Sequence, residues 1–273
     1  NEKMITSITN DKVKYVRRLQ TDRRFRYREK QVVVEGTRWL TELIELAHPP
    51  ALLFYTERWL ETAVHAQILQ QLTSLGQSTS YITSEEVMQA MSDTSTPAGV
   101  LAVIPMRQRP LPDKPTLLLV LDEVSTPGNL GTMLRTAGAA GADGVLLGPG
   151  CVDLYNPKVV RGSMGAHLRL PVHSQSWAEI AETVRGMQVW VATVQAERPY
   201  TAVNWQQPTA LIIGSEASGA GQDALALATG RITIPMHAAT ESLNAAMAAG
   251  IILFEAARQR STEGSIGTTS REA

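Results

Sequence analysis

Three stretches of the chain concentrate the glycine, hydroxyl, amide and acidic residues from which a ligand site can be built. They are DEVSTPGNLGTMLR at 122–135, GSEASGAG at 214–221 and PMHAATESLN at 235–244. Glycine lets a backbone approach a ligand closely, and a helix that opens after such a loop presents unpaired N–H groups. Several familiar chemistries are not encoded. There is no G-x-x-x-x-G-K-[ST] phosphate loop, and no G-x-G-x-x-G follows the first strand of this region. The five histidines (His48, His65, His167, His173 and His237) include no close pair at metal-ligand spacing, so no metal site is expected. One cysteine, Cys151, excludes a disulfide framework and any multi-cysteine zinc site, and suits a reducing compartment. A G-x-S-x-G elbow is absent as well, and Ser215 and Ser218 flank Glu216 without a partner base.

The elements that must position these stretches alternate in type. Leu117–Leu121 (LLLVL) is a continuous aliphatic run, as expected of a strand buried on both faces of a parallel sheet. A Pro-Gly-Asn turn follows, then a helix over 130–140, a strand at Gly144–Leu147, and a helix opened by Asn156-Pro157 as cap and first residue. Further strands are expected at 189–194, 210–213 and 232–234, and a closing helix at 243–258. Each of the three polar stretches thus follows a strand, where ligands collect in parallel α/β sheets. Upstream lies a smaller α/β pattern. It has a helix over 11–30 with Val13, Val16, Leu19 and Tyr27 on its apolar stripe, a strand at Gln31–Glu35, and helices at 39–47, 60–75 and 84–91. Strands at 51–55, 80–82 and 99–104 complete it. The proline-rich PMRQRPLPDKP at 105–115 separates the two patterns. The 273 residues therefore divide into an α/β domain at 1–107, a linker at 108–115, a second α/β domain at 116–260 and a polar, disordered tail at 261–273.

Charge is distributed unevenly. The formal net charge is −1, yet residues 1–30 hold ten Lys/Arg against four Asp/Glu. Lys12, Lys14, Arg17, Arg18, Arg23, Arg24, Arg26 and Arg28 cluster there, interleaved with Tyr15, Phe25 and Tyr27, which could stack on bases. Basic charge with aromatics is the footprint of nucleic-acid binding, because phosphate neutralisation dominates such affinity. A solvated charged helix face would leave the same pattern. No run approaches the roughly 18 apolar residues of a membrane span, and the first residues carry no apolar signal core. A cytoplasmic protein without membrane contact is expected.

Taken together, the three stretches resemble the three motifs of the SpoU/TrmH branch of the SPOUT RNA methyltransferases. Motif one is PGNLGTMLRTAGAAG at 127–141, with Asn129 and Arg135; motif two is LIIGSEASGAG, with Glu216. Motif three is ITIPMHAATESLNAAMAAGIILFEAARQR, with Ser242, Leu243 and Asn244. NPKVVRGSMGAHLRLPV at 156–172 is similar to the family too, and VVVEGTRWLTEL is similar to its substrate-binding domain. Two positions depart from the pattern: Thr126 stands where an acidic residue is usual, and Ala217 where a glycine is.

The resemblance implies a parallel-sheet domain ending in a deep trefoil knot, binding S-adenosyl-L-methionine and joining two copies into a homodimer. Pattern reading alone would not produce a knot, since connections are normally unthreaded. By motif, Thr193, Val194, Gly214, Ile234, Met236 and Leu243 would line the adenosine pocket. Arg135 would hold the RNA phosphate beside the target ribose and stabilise developing alkoxide charge, with Asn129 and Glu216 orienting it. Ser242 and Asn244 would complete the surroundings of ribose and methionine. The implied reaction is methylation of a ribose 2′-OH, in ribosomal RNA rather than tRNA by association with the appended domain. The alternatives are the same chemistry on tRNA and a non-catalytic RNA-binding assembly factor of the same fold.

Overall fold

Residues 4–76, 78–237 and 242–261 are described in the computed structural model, so the expected disordered tail lies outside the described residues apart from Ser261. The chain forms two units, one containing the residues up to Arg107 together with Asp153–Gly165, the other Gln108–Val152 and the chain from Ala166.

In the first unit the expected single helix over 11–30 is two, α1 (Asp11–Thr21) and α2 (Arg23–Glu29). Asp22 is extended between them, and its carboxylate accepts from the Phe25 N–H, so it ends one helix and caps the next. That break resets the helical phase. Val13, Val16 and Leu19 stay buried, but Phe25 takes the next core position and Tyr27 is left 43% exposed. Then come β1 (Gln31–Glu35), α3 (Thr37–Glu45), β2 (Leu52–Thr56), α4 (Glu57–Leu60) and α5 (Ala63–Ser74). β3 (Thr79–Thr83), α6 (Glu85–Met91) and β4 (Val100–Pro105) complete the series. The sheet order is β1-β4-β2-β3, parallel only between β2 and β3. Its core joins Val13, Val16, Leu19 and Phe25 to Val33, Phe54, Met88 and Leu101.

The second unit starts before its first strand. Leu111, inside the expected linker, packs among its buried residues, and the Arg109 Nε–H donates to the Leu168 carbonyl at 2.7 Å. Its elements are β5 (Leu117–Leu121), α7 (Pro127–Ala139) and β6 (Gly144–Leu147). After α8 (Pro157–Ser163), which belongs to the first unit, come α9 (Ala166–Arg169), β7 (Val172–Ser174), α10 (Trp177–Thr183) and β8 (Gln188–Ala192). β9 (Thr209–Ile213), α11 (Gln222–Leu227), β10 (Gly230–Ile232) and α12 (Ala245–Ser261) follow. All six strands run parallel in the order β10-β8-β9-β5-β6-β7. Leu118, Val120, Val189, Val191 and Ile212 meet Ile180 and Val184 around α10 and Ala224 of α11. Alternate residues of β5 (Leu117, Leu119 and Leu121) point to the other face and are buried as well, which explains the unbroken aliphatic run. α7 and α12 pack on each other.

Asp153–Gly165 falls within the domain expected at 116–260, yet its contacts are with the first unit. Asn156 caps α8 as expected, accepting from the Lys158 N–H, and α8 lies against β1 with Val159 and Val160 buried.

Candidate functional site

Three strand ends of the second unit converge. After β5 the chain turns through Asp122–Thr126 into α7, three residues earlier than the periodicity indicates, because Pro127 occupies the first helical position. Thr126 precedes that helix but its hydroxyl does not cap it. Instead it donates to Glu216 Oε2 at 3.3 Å. Asn129, in the first turn of α7, donates through Nδ2 to Glu216 Oε1. Asn244 reaches the same carboxylate from the start of α12, its Nδ2 lying 2.9 Å from Glu216 Oε1 and 3.2 Å from Asn129 Oδ1. The Asn244 Oδ1 accepts from the N–H groups of Ala246 and Met247, capping α12. The motif-two carboxylate thus gathers a residue from each of the other two motifs, and the departure at Thr126 supplies a donor to Glu216 where an acidic side chain would repel it.

The loop carrying Glu216 is folded by backbone. Ser215 and Gly219 exchange N–H···O bonds of 2.9 Å each, closing a turn in which Gly219 adopts φ +69°. Gly214 lies so close beneath it that a β-carbon would come within 2.3 Å of Ala220 N. Asp122, buried at the end of β5, accepts from the Gly221 N–H at 2.7 Å and ties the loop's far end to the sheet.

Beside this loop opens a cavity of about 470 Å³. Thr193, Val194, Gly214, Ile234, Met236 and Leu243 all line it, together with Glu216 and Ser242. Gln195 and Arg231 line it too, and sequence reasoning missed both, because neither belongs to a motif and β10 is too short to show a period. Asp122 opens the first of the three polar stretches, but nothing in the sequence singled it out from Glu123 beside it as the residue that ties the loop down.

Arg135 is not joined to the Glu216 group. It lies on the exposed side of α7 with Gly128 and Thr132, and makes no hydrogen bond or ion pair among the described residues. Its expected orientation by Asn129 and Glu216 is therefore not what these contacts provide, since both are engaged with each other, Thr126 and Asn244. Cys151, nearby in sequence to none of the motifs, has its thiol pushed up to about 11 by burial, which leaves little thiolate at neutral pH.

In the first unit, Lys14, Arg17, Arg18, Arg23, Arg24 and Arg28 are exposed and Lys12 is half-buried, with its ammonium 5.0 Å from the Tyr81 ring centre. Arg26 is the exception and corrects the expected RNA-binding set. It is only 4% exposed, its Nη1 donates to the carbonyls of Leu19 and Gln20, and its Nη2 pairs with Asp153 at 2.7 Å. Tyr27 donates to the other Asp153 oxygen at 2.7 Å, and burial together with that bond raises its pKa. Phe25 is likewise buried rather than free for base stacking, with the Arg18 and Arg28 guanidinium groups 4.3 and 4.7 Å from its ring centre.

Comparison with known proteins agrees with this geometry. Residues 116–254 match the SpoU rRNA methylase family, and residues 10–102 an MRM3-like substrate-binding domain. A Synechocystis protein named as an uncharacterised tRNA/rRNA methyltransferase is 37% identical over 94% of both chains. The Bacillus subtilis 23S rRNA (guanosine(2553)-2′-O)-methyltransferase RlmP is 31% identical, covering 92% of this chain and 98% of its own. Among solved structures, an AdoMet-bound rRNA methyltransferase from Sinorhizobium meliloti superposes with a TM-score of 0.83 at 28% identity, over 94% of this chain and 97% of that one. With the family match spanning the unit that carries the three converging loops, the chain belongs to the SpoU rRNA methylase family and is an RNA methyltransferase.

Proposed function

We propose that this protein transfers a methyl group from S-adenosyl-L-methionine to a ribose 2′-OH of ribosomal RNA. The observation that carries this reading is the convergence of the six lining residues Thr193, Val194, Gly214, Ile234, Met236 and Leu243 on one cavity, bordered by the Asn129–Glu216–Asn244 group. The residues present fit that cofactor. The cavity volume of about 470 Å³ suits a ligand of that size. Ile234, Met236 and Leu243 supply apolar walls, and Gly214 leaves one wall as bare backbone. When bound, the cofactor supplies an activated sulfonium methyl, so the chain's task is alignment and management of the hydroxyl proton.

Asn129 and Asn244 hold Glu216 and through it the shape of the cavity rim. The Arg135 side chain, exposed and without a partner among the described residues, would meet an RNA phosphate and stabilise charge developing on the attacking oxygen. Guanidinium groups keep their protons, so this role is electrostatic and not that of a base. Ser242 stands at the rim for the ribose. The first unit is the RNA-binding part, through Lys12, Lys14, Arg17, Arg18, Arg23, Arg24 and Arg28. A trefoil knot, a homodimer formed through the second unit, and action in the cytoplasm complete the proposal. The exposed Met247 and Phe254 of α12 support the dimer.

The test is methyl incorporation from labelled cofactor into ribosomal RNA and, separately, tRNA, followed by mass-spectrometric mapping of ribose methylation. Methylation of one ribosomal nucleotide is expected. Preferential methylation of tRNA would reassign the substrate, and cofactor or RNA binding without transfer would favour the assembly-factor reading.

A further inference from the structure

Of the side chains lining the cavity of the second unit, Glu216 and Arg231 carry charge. Their situations differ. The Glu216 carboxylate is held by Thr126, Asn129 and Asn244, whereas Arg231 makes no hydrogen bond or ion pair among the described residues. The sheet fixes where Arg231 stands. In β10 it pairs with Val191, whose side chain packs in the layer with α10 and α11, so Arg231 leaves the sheet on that same side. Leu225 of α11 lines the cavity there. The preceding residue, Gly230, pairs with Trp190 and lies against its ring, toward the opposite face.

S-adenosylmethionine carries one anionic group, the carboxylate of its methionyl end; its sulfonium and ammonium are cationic and its adenosine is neutral. We propose that Arg231 pairs with that carboxylate and is the residue by which the cavity distinguishes an amino-acid-bearing nucleoside from bare adenosine. The proposal rests on the cofactor assigned above. A guanidinium meets a carboxylate through two parallel N–H···O bonds, and its rigid fork loses less freedom than a lysine in doing so. With Glu216 the anion among the described lining residues, the cavity offers both signs of charge to a ligand that carries both.

The test is calorimetric titration of the 273-residue chain, R231Q and R231K with three probes. These are S-adenosylmethionine, S-adenosylhomocysteine and 5′-methylthioadenosine, the last of which has the adenosine and thioether but no amino-acid end. R231Q is expected to bind the first two about tenfold more weakly, as loss of a charge-assisted hydrogen bond implies. R231K should fall between R231Q and the parent, and methylthioadenosine should bind all three chains within about twofold. Equal loss of methylthioadenosine binding would place Arg231 on the adenosine and overturn the proposal. So would unchanged affinity for every probe, or weakened RNA binding with unchanged cofactor binding, which would mark Arg231 as a phosphate contact. If the parent chain bound none of the probes, the cofactor assignment itself would fall and this pairing with it. Weakened S-adenosylmethionine and S-adenosylhomocysteine binding in R231Q, with R231K intermediate and methylthioadenosine binding retained, supports both.

Discussion

Arg135 is distinguished by what it does not touch. Asn129, Glu216 and Asn244 satisfy one another, so removing any of them releases partners already in place, while Arg135 is unpaired among the described residues, on the exposed side of α7. Its deletion should therefore spare the fold and the cofactor. Arg135→Ala is expected to lower transfer by about a hundredfold or more, with the affinity for S-adenosylmethionine unchanged in calorimetry. A matching loss of cofactor binding would show that the side chain serves the cavity instead. The motif residues could be picked out in the sequence only as an ordered set, since an isolated asparagine, glutamate or serine in a loop carries no such message. The family resemblance also implied that Asn129 and Glu216 hold the arginine. Six helical residues turn through about 600°, so Arg135 stands about 120° around α7 from Asn129, a separation that reading the motif as an ordered set passes over.

At the scale of the element, α2 does two jobs on two faces. Arg23, Arg24 and Arg28 are exposed, Arg23 only grazing Asp153 at 4.0 Å, whereas Arg26 is closed into the first unit against Asp153 at 2.7 Å. A buried pair that loses one partner leaves an uncompensated charge, and such losses typically cost roughly 3–5 kcal/mol. Asp153→Asn or Arg26→Leu is accordingly expected to lower the unfolding free energy by about 3 kcal/mol, read from denaturant titration. Replacing Arg23, Arg24 and Arg28 by glutamine should leave that free energy nearly unchanged. It should instead weaken RNA binding and flatten its dependence on salt, because fewer counterions are released. The strand of five aliphatic residues at Leu117–Leu121 was legible because both its faces are covered. The break at Asp22 was not, because charged residues on either side continue a plausible helix and only the cap bond to Phe25 ends it. Arg26 resembled its neighbours in sequence, and the partner that buries it lies 127 positions away.

For the molecule as a whole, the proposed homodimer makes a prediction that the isolated chain does not. Met247 is 59% exposed and Phe254 53% exposed, two turns apart on α12, with half-buried Gly250 and Ile251 between them. Large apolar side chains exposed together mark interaction surfaces more often than single ones do. Replacing both with glutamate should shift the sedimenting mass from that of a pair to the 29.6 kDa of one chain. A pair that survives the double change would have to be joined elsewhere. The α/β class, the two patterns and most strands could be read from periodicity. Membership of Asp153–Gly165 in the first unit could not, because the segment is ordinary in composition and only its destination is unusual.

That segment also limits how the protein can be divided. The backbone passes between the two units after Arg107, again after Val152 and once more after Gly165. Severing the chain at the proline-rich stretch would leave the front portion without Asp153 as counter-charge to Arg26 and without Val159 and Val160 as cover for β1. The rear portion would carry those same residues without the partners that bury them, Asp153 as an uncompensated charge and Val159 and Val160 as uncovered apolar surface. Although the family matches fall on either side of residue 116, the two halves are not separable modules. An exchange of RNA-binding parts between relatives would need to carry the short insert from the methylase half along with it.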